Sequence, residues 1–446
     1  MSETLNSGNV TTRIQKIAQL AKDDPKRVFI SVSHVIDVEW MREAYRRTRK
    51  DGAAGIDEMD ANDFALKLEE NLQALVTALH TGGYKAPPVR RVHIPKENGK
   101  TRPIGIPTFS DKVMQRAVTM VLEAIYEESF HPSSYGFRRK RNAHQALEEL
   151  QKRPTYWRHC WVIEADIESF FDTIDHKHLR EILNQRIRDG VIRRAIDKWL
   201  AAGVFEEGQC YSVQNGTPQG GVISPMLANI YLDYVLDQWF ERDVCPRIKP
   251  RAKLIRYADD FVLLFGWEDD ARKVMEVLPK RFKRFGLKLH PEKTRLIAFT
   301  HSNSDNTGNR NGKSKPRSFD FLGFTHFWAR SRNGRYIVKQ RTAKTRFRRT
   351  LQRIKIQCRA MMHDPLEVQH RILSRMLTGH YNYFGITGNS DSLRSLRHEV
   401  ERIWGRTLAR RHRRRFAWEW FLSILAHFPL PRAYAVHSVC PSELLV

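Results

Sequence analysis

Apolar and polar positions change their period several times along the chain, and each change marks an element. Residues 1–80 read as mostly helical and end at the turn signal Thr81-Gly82-Gly83-Tyr84. Residues 85–109 switch to β-type runs on either side of Glu97-Asn98-Gly99, which predicts a basic hairpin. A helical pattern returns over 111–152, interrupted by HPSSYGFRRKR at 131–141, and strands and helices then alternate through residue 299. The stretch 301–318 lacks apolar residues and reads as a flexible loop. FDFLGF (319–324) predicts a short buried strand, and basic helices follow from residue 341. The chain shows no internal repeat.

Two acidic stretches interrupt this pattern. In RYADDFVLLF (256–265), Asp259 and Asp260 sit side by side within an apolar run. Burying an unpaired carboxylate costs several kcal/mol, so two neighbours need a reason. KLI (253–255) and FVLLF (261–265) flank them, which predicts a hairpin with both carboxylates at or beside its turn. An Asp-rich turn with ordinary backbone hydrogen bonds has the same signature. In CWVIEADIESFFDTIDH (160–176), Trp161, Ile163, Ala165 and Ile167 share one strand face, and Val162, Glu164 and Asp166 the other. Asp166 lies near the strand end, so it can meet Asp259 and Asp260 if the two strands are neighbours. Three hard oxygen donors there would suit Mg²⁺, which takes a few carboxylates together with substrate phosphates.

A third stretch, QNGTPQGGVISPMLANIYLDYVLDQWF (214–240), carries Gly216, Gly220 and Gly221, which permit close backbone approach. Ser224-Pro225 is a helix start. Leu227, Ile230, Tyr231, Tyr234 and Trp239 then form an apolar face whose spacing means core packing.

Composition sharpens the picture. The 446 residues hold 76 Lys or Arg against 50 Asp or Glu, a net charge of +26, which points to a polyanionic partner. Half of that charge lies in residues 341–446, with 20 Lys or Arg against 7 Asp or Glu. Arg138, Arg139, Lys140 and Arg141 form one dense run. Lys344 and Arg348 stand at helical i, i+4 spacing next to Arg349, with Arg341 and Thr345 expected on adjoining turns, and 406–415 holds six arginines. A solvated helix face is the plain alternative for each, but clustered like charges are relieved by nucleic acid. The five cysteines lie far apart without a Cys-x-x-Cys pair, which argues against a zinc ribbon and a disulfide framework and fits a reducing compartment. MSETLNSGNV lacks a targeting pattern and 416–428 is too short for a bilayer, so a soluble protein in a prokaryotic-type cytoplasm is expected.

Taken in order, these stretches resemble the reverse transcriptases encoded within group II introns, which combine polymerase and maturase roles. The resemblance runs over roughly residues 40–435. It rests on DGAAGID (51–57), IPKENGKTRPIGIPT (94–108), SYGFRRKRNAHQAL (134–147), DIESFFDTIDH (166–176), GTPQGGVISPMLANIYL (216–232), RYADDF (256–261), GLKLHPEKT (286–294) and FDFLGF (319–324). LTGHYNYFGITGN (377–389) is similar to the thumb, or maturase, segment. It reads Gly379-His380-Tyr381 where the family has Gly-Trp.

The resemblance implies an α+β right-hand polymerase, with fingers and a palm built on an antiparallel sheet, followed by an α-helical thumb/maturase domain. The implied divisions are 1–80 for an N-terminal extension and the start of the fingers, 81–318 for fingers and palm, 319–420 for the palm end and thumb, and 421–446 for a short C-terminal segment. Asp166, Asp259 and Asp260 would be catalytic and would hold two Mg²⁺ ions with the Ile167 carbonyl. Lys96, Lys100 and Arg102 would reach the triphosphate of an incoming dNTP and Gln219 would lie along it. Phe171 would exclude a 2′-hydroxyl. Lys293 would support the primer side of the palm or remain a solvated lysine. Arg138, Arg139, Arg141, Lys344, Arg348 and Arg349 would contact RNA. The family often carries a Cys/His-rich nuclease, and only Cys440 follows the thumb here, so DNA-strand cleavage is not expected.

The implied function is RNA-directed DNA synthesis by two-metal phosphoryl transfer, with an RNA template, a DNA primer or target and dNTPs. Structured intron RNA would be bound to assist splicing and mobility. Two alternatives share these residues: a free-standing reverse transcriptase recruited to DNA repair or phage defence, and a splicing-only RNA-binding maturase.

Overall fold

The computed structural model describes residues 9–95, 101–206, 209–211, 216, 220–300, 318–331 and 333–437. The polar stretch 301–317, with Lys96, Lys100 and Gln219, therefore lies outside the described residues.

Helices dominate residues 9–80, as the sequence pattern predicts. The helix Val10–Asp23 is capped by Asn9 and carries a buried Arg13 that pairs with Asp37 at 2.7 Å and Glu39 at 2.9 Å. The helix Leu68–Thr81 stops where Gly82 adopts a left-handed conformation, φ 78°. A long helix, Phe109–Tyr126, is buried on nearly every face because the helices Val10–Asp23 and Val38–Arg47 pack against it.

Eleven strands are described, in three sheets. They are β1 (Val89–Pro95), β2 (Thr101–Ile106), β3 (His159–Ala165), β4 (Val204–Glu206), β5 (Gln209–Tyr211), β6 (Ala252–Tyr257), β7 (Asp260–Phe265), β8 (Arg295–Thr300), β9 (Phe319–Phe321), β10 (Phe324–Arg330) and β11 (Tyr336–Thr342). The predicted basic hairpin is β1 paired antiparallel with β2, in a sheet ordered β2-β1-β4-β5.

The central sheet, ordered β6-β7-β3-β8, is antiparallel throughout. Both of its faces are covered. Ile163 and Ala165 of β3 enter the core beneath the N-terminal helices, whereas Cys160 and Val162 enter a second core shared with β9, β10 and β11. FDFLGF differs from the single strand expected of it. Leu322 (φ 51°) and Gly323 (φ 79°) form a left-handed two-residue turn between β9 and β10, the geometry that joins twisted antiparallel strands.

Beyond β11 the helices Lys344–Ala360, Leu366–Phe384, Ser390–Arg411 and Trp418–His427 enclose a third core around Leu377, Trp404 and Phe421. Phe421 is fully buried there, so the 420/421 division expected from the sequence cuts through one packed helix. Arg341 is in β11 and not on the helix with Lys344.

Candidate active site

The β6–β7 hairpin turns in two residues, Ala258 and Asp259, with Tyr257 facing Asp260 across the ladder. Ala258 takes a left-handed φ of 57°, costly for a residue with a Cβ. Asp259 therefore sits in the turn and Asp260 begins β7. Ala165 of β3 pairs with Phe261 of β7, so Asp166, one residue past β3, emerges beside Asp260. These positions place the three carboxylates at one end of one sheet.

The chain after Asp166 is held from the other side. His290 donates its backbone N–H to the Asp166 carbonyl at 2.8 Å, and Glu168 donates to the Lys288 carbonyl at 2.8 Å. Ile167 is bridged to Leu289 between them, and these flanking bonds leave its own carbonyl out of the bridge.

The electrostatics of this end are unfavourable without a cation. Burial in the cleft, then the charges of Asp259 and Asp166, push the Asp260 carboxyl up to about 6. Asp259 is also raised, mainly by desolvation and further by Asp166, while Arg102 and Arg256 oppose the rise. Asp260 keeps access to solvent, so its carboxyl can exchange a proton for a cation. Lys293 places its ammonium 2.5 Å from Asp166, a cation already drawn to the cluster. Among the described residues, no group of three or more His, Cys, Asp or Glu side chains is drawn together closely enough to hold a metal ion by itself. The hard oxygens, mutual repulsion and resident ammonium fit a hard divalent cation, which keeps oxygens from water and phosphate in its shell.

A cleft of about 410 Å³ opens here, lined by Asp166, Asp260, Lys293, Arg295, Arg346 and Arg349 among others. Arg346, with Lys293, opposes the rise of Asp260. The sequence does not single out Arg346, which stands within the same basic run as Lys344 and Arg348. Its helical phase against the palm was the missing information.

Two glycines, Gly216 and Gly220, make close backbone approaches near this end of the sheet. Gly216 has φ 88°, donates to the Ile174 carbonyl at 2.9 Å and accepts from His176 at 2.6 Å. A Cβ on Gly216 would lie 2.8 Å from the Phe171 carbonyl, so Gly216 rests directly on the short helix Phe170–Thr173. Phe171 is half-buried, its ring 5.4 Å from that of Phe170. Gly220 approaches the Gly105 carbonyl of β2 so closely that a Cβ would stand 2.4 Å away. The same strand, β2, carries exposed Arg102, whose charge reaches Asp259.

The basic residues separate into two groups. Arg138 is a correction to the expectation of an RNA contact: only 4% of its side chain is exposed. It donates to Glu127 and to the carbonyls of His131 and Ser134, and so serves as internal scaffold. Arg139 is half exposed and paired with Glu123 at 2.9 Å. Arg141 is exposed, with its guanidinium 5.7 Å from the Tyr135 ring. Lys344, Arg348 and Arg349 are exposed on the helix that borders the cleft. In the helix Leu366–Phe384, burial holds the His380 imidazole down to about 4, so it packs there as a neutral ring.

The sign of the pH dependence follows from Asp260. Without a cation, the neutral acid favours the fold below the ordinary carboxylate range, and this contribution is lost as pH rises through about 6. A divalent cation needs the ionised form, so its affinity is expected to fall about tenfold per pH unit below that value. Mn²⁺ titrations between pH 5 and 8 check this, and a flat profile would contradict it.

Residues 94–326 match the family model for reverse transcriptase (RNA-dependent DNA polymerase). The chain is 36% identical over 282 residues to Protein YkfC of Escherichia coli (strain K12), a match covering 56% of this chain and 74% of that protein. It is 39% identical over 226 residues to the Group II intron-encoded protein LtrA of Lactococcus lactis subsp. cremoris, covering 48% of this chain but 37% of LtrA. It is 38% identical over 172 residues to the Putative COX1/OXI3 intron 2 protein of Saccharomyces cerevisiae, covering 38% of this chain and 20% of that protein. Among the described residues, no helix is long and apolar enough to cross a membrane.

Proposed function

This chain belongs to the reverse transcriptase family, and from that premise we propose that it copies RNA into DNA at the β3–β7 end of the central sheet and binds the RNA of a group II intron. Enzymes of this family generally use divalent metal ions. The observation that carries the reading is the convergence of Asp166 with the Asp259–Asp260 turn through the β3–β7 register.

In the proposed reaction, Asp166, Asp259 and Asp260 hold two Mg²⁺ ions with the Ile167 carbonyl as a further donor. Bound there, the ions would lower the charge on the reacting phosphate and on the primer 3′-hydroxyl oxygen. Arg102 on the fingers hairpin balances triphosphate charge from above, as do Lys96 and Lys100 in the same reading. Gln219 and Phe171 frame the nucleotide, with the Phe171 ring occupying the space of a 2′-hydroxyl. Lys293 neutralises Asp166 until cation and substrate arrive. Arg346 faces the same cleft and is suited to a phosphate of the primer–template duplex.

RNA is held mainly through its backbone in this proposal. Arg139, Arg141, Lys344, Arg348 and Arg349 supply cations for an A-form duplex, which is gripped through phosphates and 2′-hydroxyls. Replacing Lys344 and Arg348 with Ala is expected to weaken RNA binding uniformly across sequences. The slope of log affinity against log salt should fall by about 1 for each phosphate that the variant no longer neutralises. Filter binding at several salt concentrations checks this, and an unchanged slope would remove the helix from the interface.

Primer extension on an RNA template, with dNTPs and Mg²⁺, tests the reading directly. Absence of a DNA product from folded protein would reject it. Sequencing of copurifying RNA addresses the intron association: one structured intron supports it, and bulk transcripts favour a free-standing enzyme.

A further inference from the structure

The turn that carries two of the carboxylates is itself held by a group outside the cleft. Arg256 is fully buried, and three of its guanidinium nitrogens are engaged. Nε and Nη2 donate to the equally buried Asp237 at 2.8 and 2.6 Å. Nη1 donates to Asn229 Oδ1 at 3.0 Å and to the Ala258 carbonyl at 3.0 Å. Asn229 donates onward from Nδ2 to the Gly136 carbonyl at 2.8 Å.

Stability alone does not explain this arrangement. A buried ion pair is often replaceable by apolar residues without loss, because desolvation offsets the attraction. What apolar side chains cannot replace is the bond to Ala258. That residue holds a left-handed backbone, and its carbonyl belongs to the peptide plane joining it to Asp259. Fixing the carbonyl fixes that plane, and with it the direction in which Asp259 and Asp260 leave the turn.

We propose that Arg256 is a positioning residue for the reaction: its fork clamps the Ala258 carbonyl and so sets the direction in which Asp259 and the cleft-lining Asp260 leave the turn, while Asp237 and Asn229 orient the fork. The proposal deepens the polymerase reading of the same cleft and rests on it. The planar guanidinium is required, since a single ammonium cannot reach Asp237 and Ala258 together.

Two variants of the full chain test it. Arg256→Lys keeps a charge opposite Asp237. The pair Arg256→Met with Asp237→Leu removes both charges and leaves no unpaired buried acid. Deuterium exchange of the peptide spanning 256–261 is expected to quicken about tenfold in both variants, with β3 and β8 unchanged. Primer extension should lose about 100-fold in kcat with the KM for dNTP little altered, the signature of misaimed groups and not of impaired substrate binding.

Unchanged exchange at the turn would overturn the proposal. So would quickened exchange with an unaltered kcat. Unfolding of both variants would also overturn it, since Arg256 would then serve the whole fold and not the turn. A wild-type protein that extends no primer would reject the polymerase reading alone, and the exchange comparison would still decide the clamp.

Discussion

Asp259→Asn is expected to lower primer extension on an RNA template by on the order of 10³-fold, the scale at which preorganised charge stabilisation is lost. The substitution keeps the size of the side chain and removes its charge at the β6–β7 turn. Asp259 is one of the two acids that push Asp260 up, so the variant relieves repulsion in the cation-free protein. Its thermal midpoint should therefore equal or exceed that of the wild type while activity disappears. This pairing is diagnostic, because a structural aspartate removed from a turn would lower both. RNA affinity should persist, since the basic helix Lys344–Ala360 lies outside the turn. A splicing-only protein would keep its splicing assistance in this variant and would show no extension in the wild type either. Retention of extension by Asp259→Asn would reject the carboxylate assignment outright.

Gly136→Ala is expected to damage both fold and activity, by a different route. A Cβ at Gly136 would stand 2.3 Å from the Ala258 nitrogen and 2.9 Å from the Tyr257 carbonyl carbon. Both atoms are backbone of the hairpin, so no rotamer change can clear the overlap. Tyr135 also donates to the Arg256 carbonyl at 2.9 Å, which ties residues 133–136 to β6. The segment and the hairpin must then separate, at a cost of about 1–3 kcal/mol for overpacking. A shift of the turn by around 1 Å should cost about 100-fold in extension rate. Gly379→Ala is the control. That glycine lies within the helix Leu366–Phe384 with open space around it, so alanine should stabilise by about 0.5–1 kcal/mol. Thermal denaturation and extension assays on the two variants check both statements. Equal stability of Gly136→Ala and wild type would contradict the close approach.

Elements whose chemistry and local order coincide are legible in the sequence. The Ala258–Asp259 turn was legible because β-rich runs flank it on both sides. The β1–β2 hairpin was legible for the same reason. The two faces of β3 were distinguishable by alternation, although both proved buried. Where the meaning of a residue depended on a distant partner, local pattern was silent. Arg138 looked like part of an RNA-facing run, but Glu127 and two carbonyls claim it inside the protein. FDFLGF looked like one strand because its apolar residues mask a turn, which the left-handed pair Leu322 and Gly323 supplies.

The sequence by itself determined the local elements, the polyanionic partner implied by a net charge of +26, and the identity of the acids available for chemistry. Tertiary structure alone decided that Asp166 reaches Asp260, because strand order and register bring the ends of β3 and β7 together. It also decided which cations serve the cleft and which are consumed inside. Lys293 sits on Asp166, Arg346 turns toward Asp260, and Arg256 disappears into the clamp with Asp237. The physical reason is range. Period and propensity act over a few residues, whereas burial and charge pairing depend on groups that only the folded chain makes neighbours.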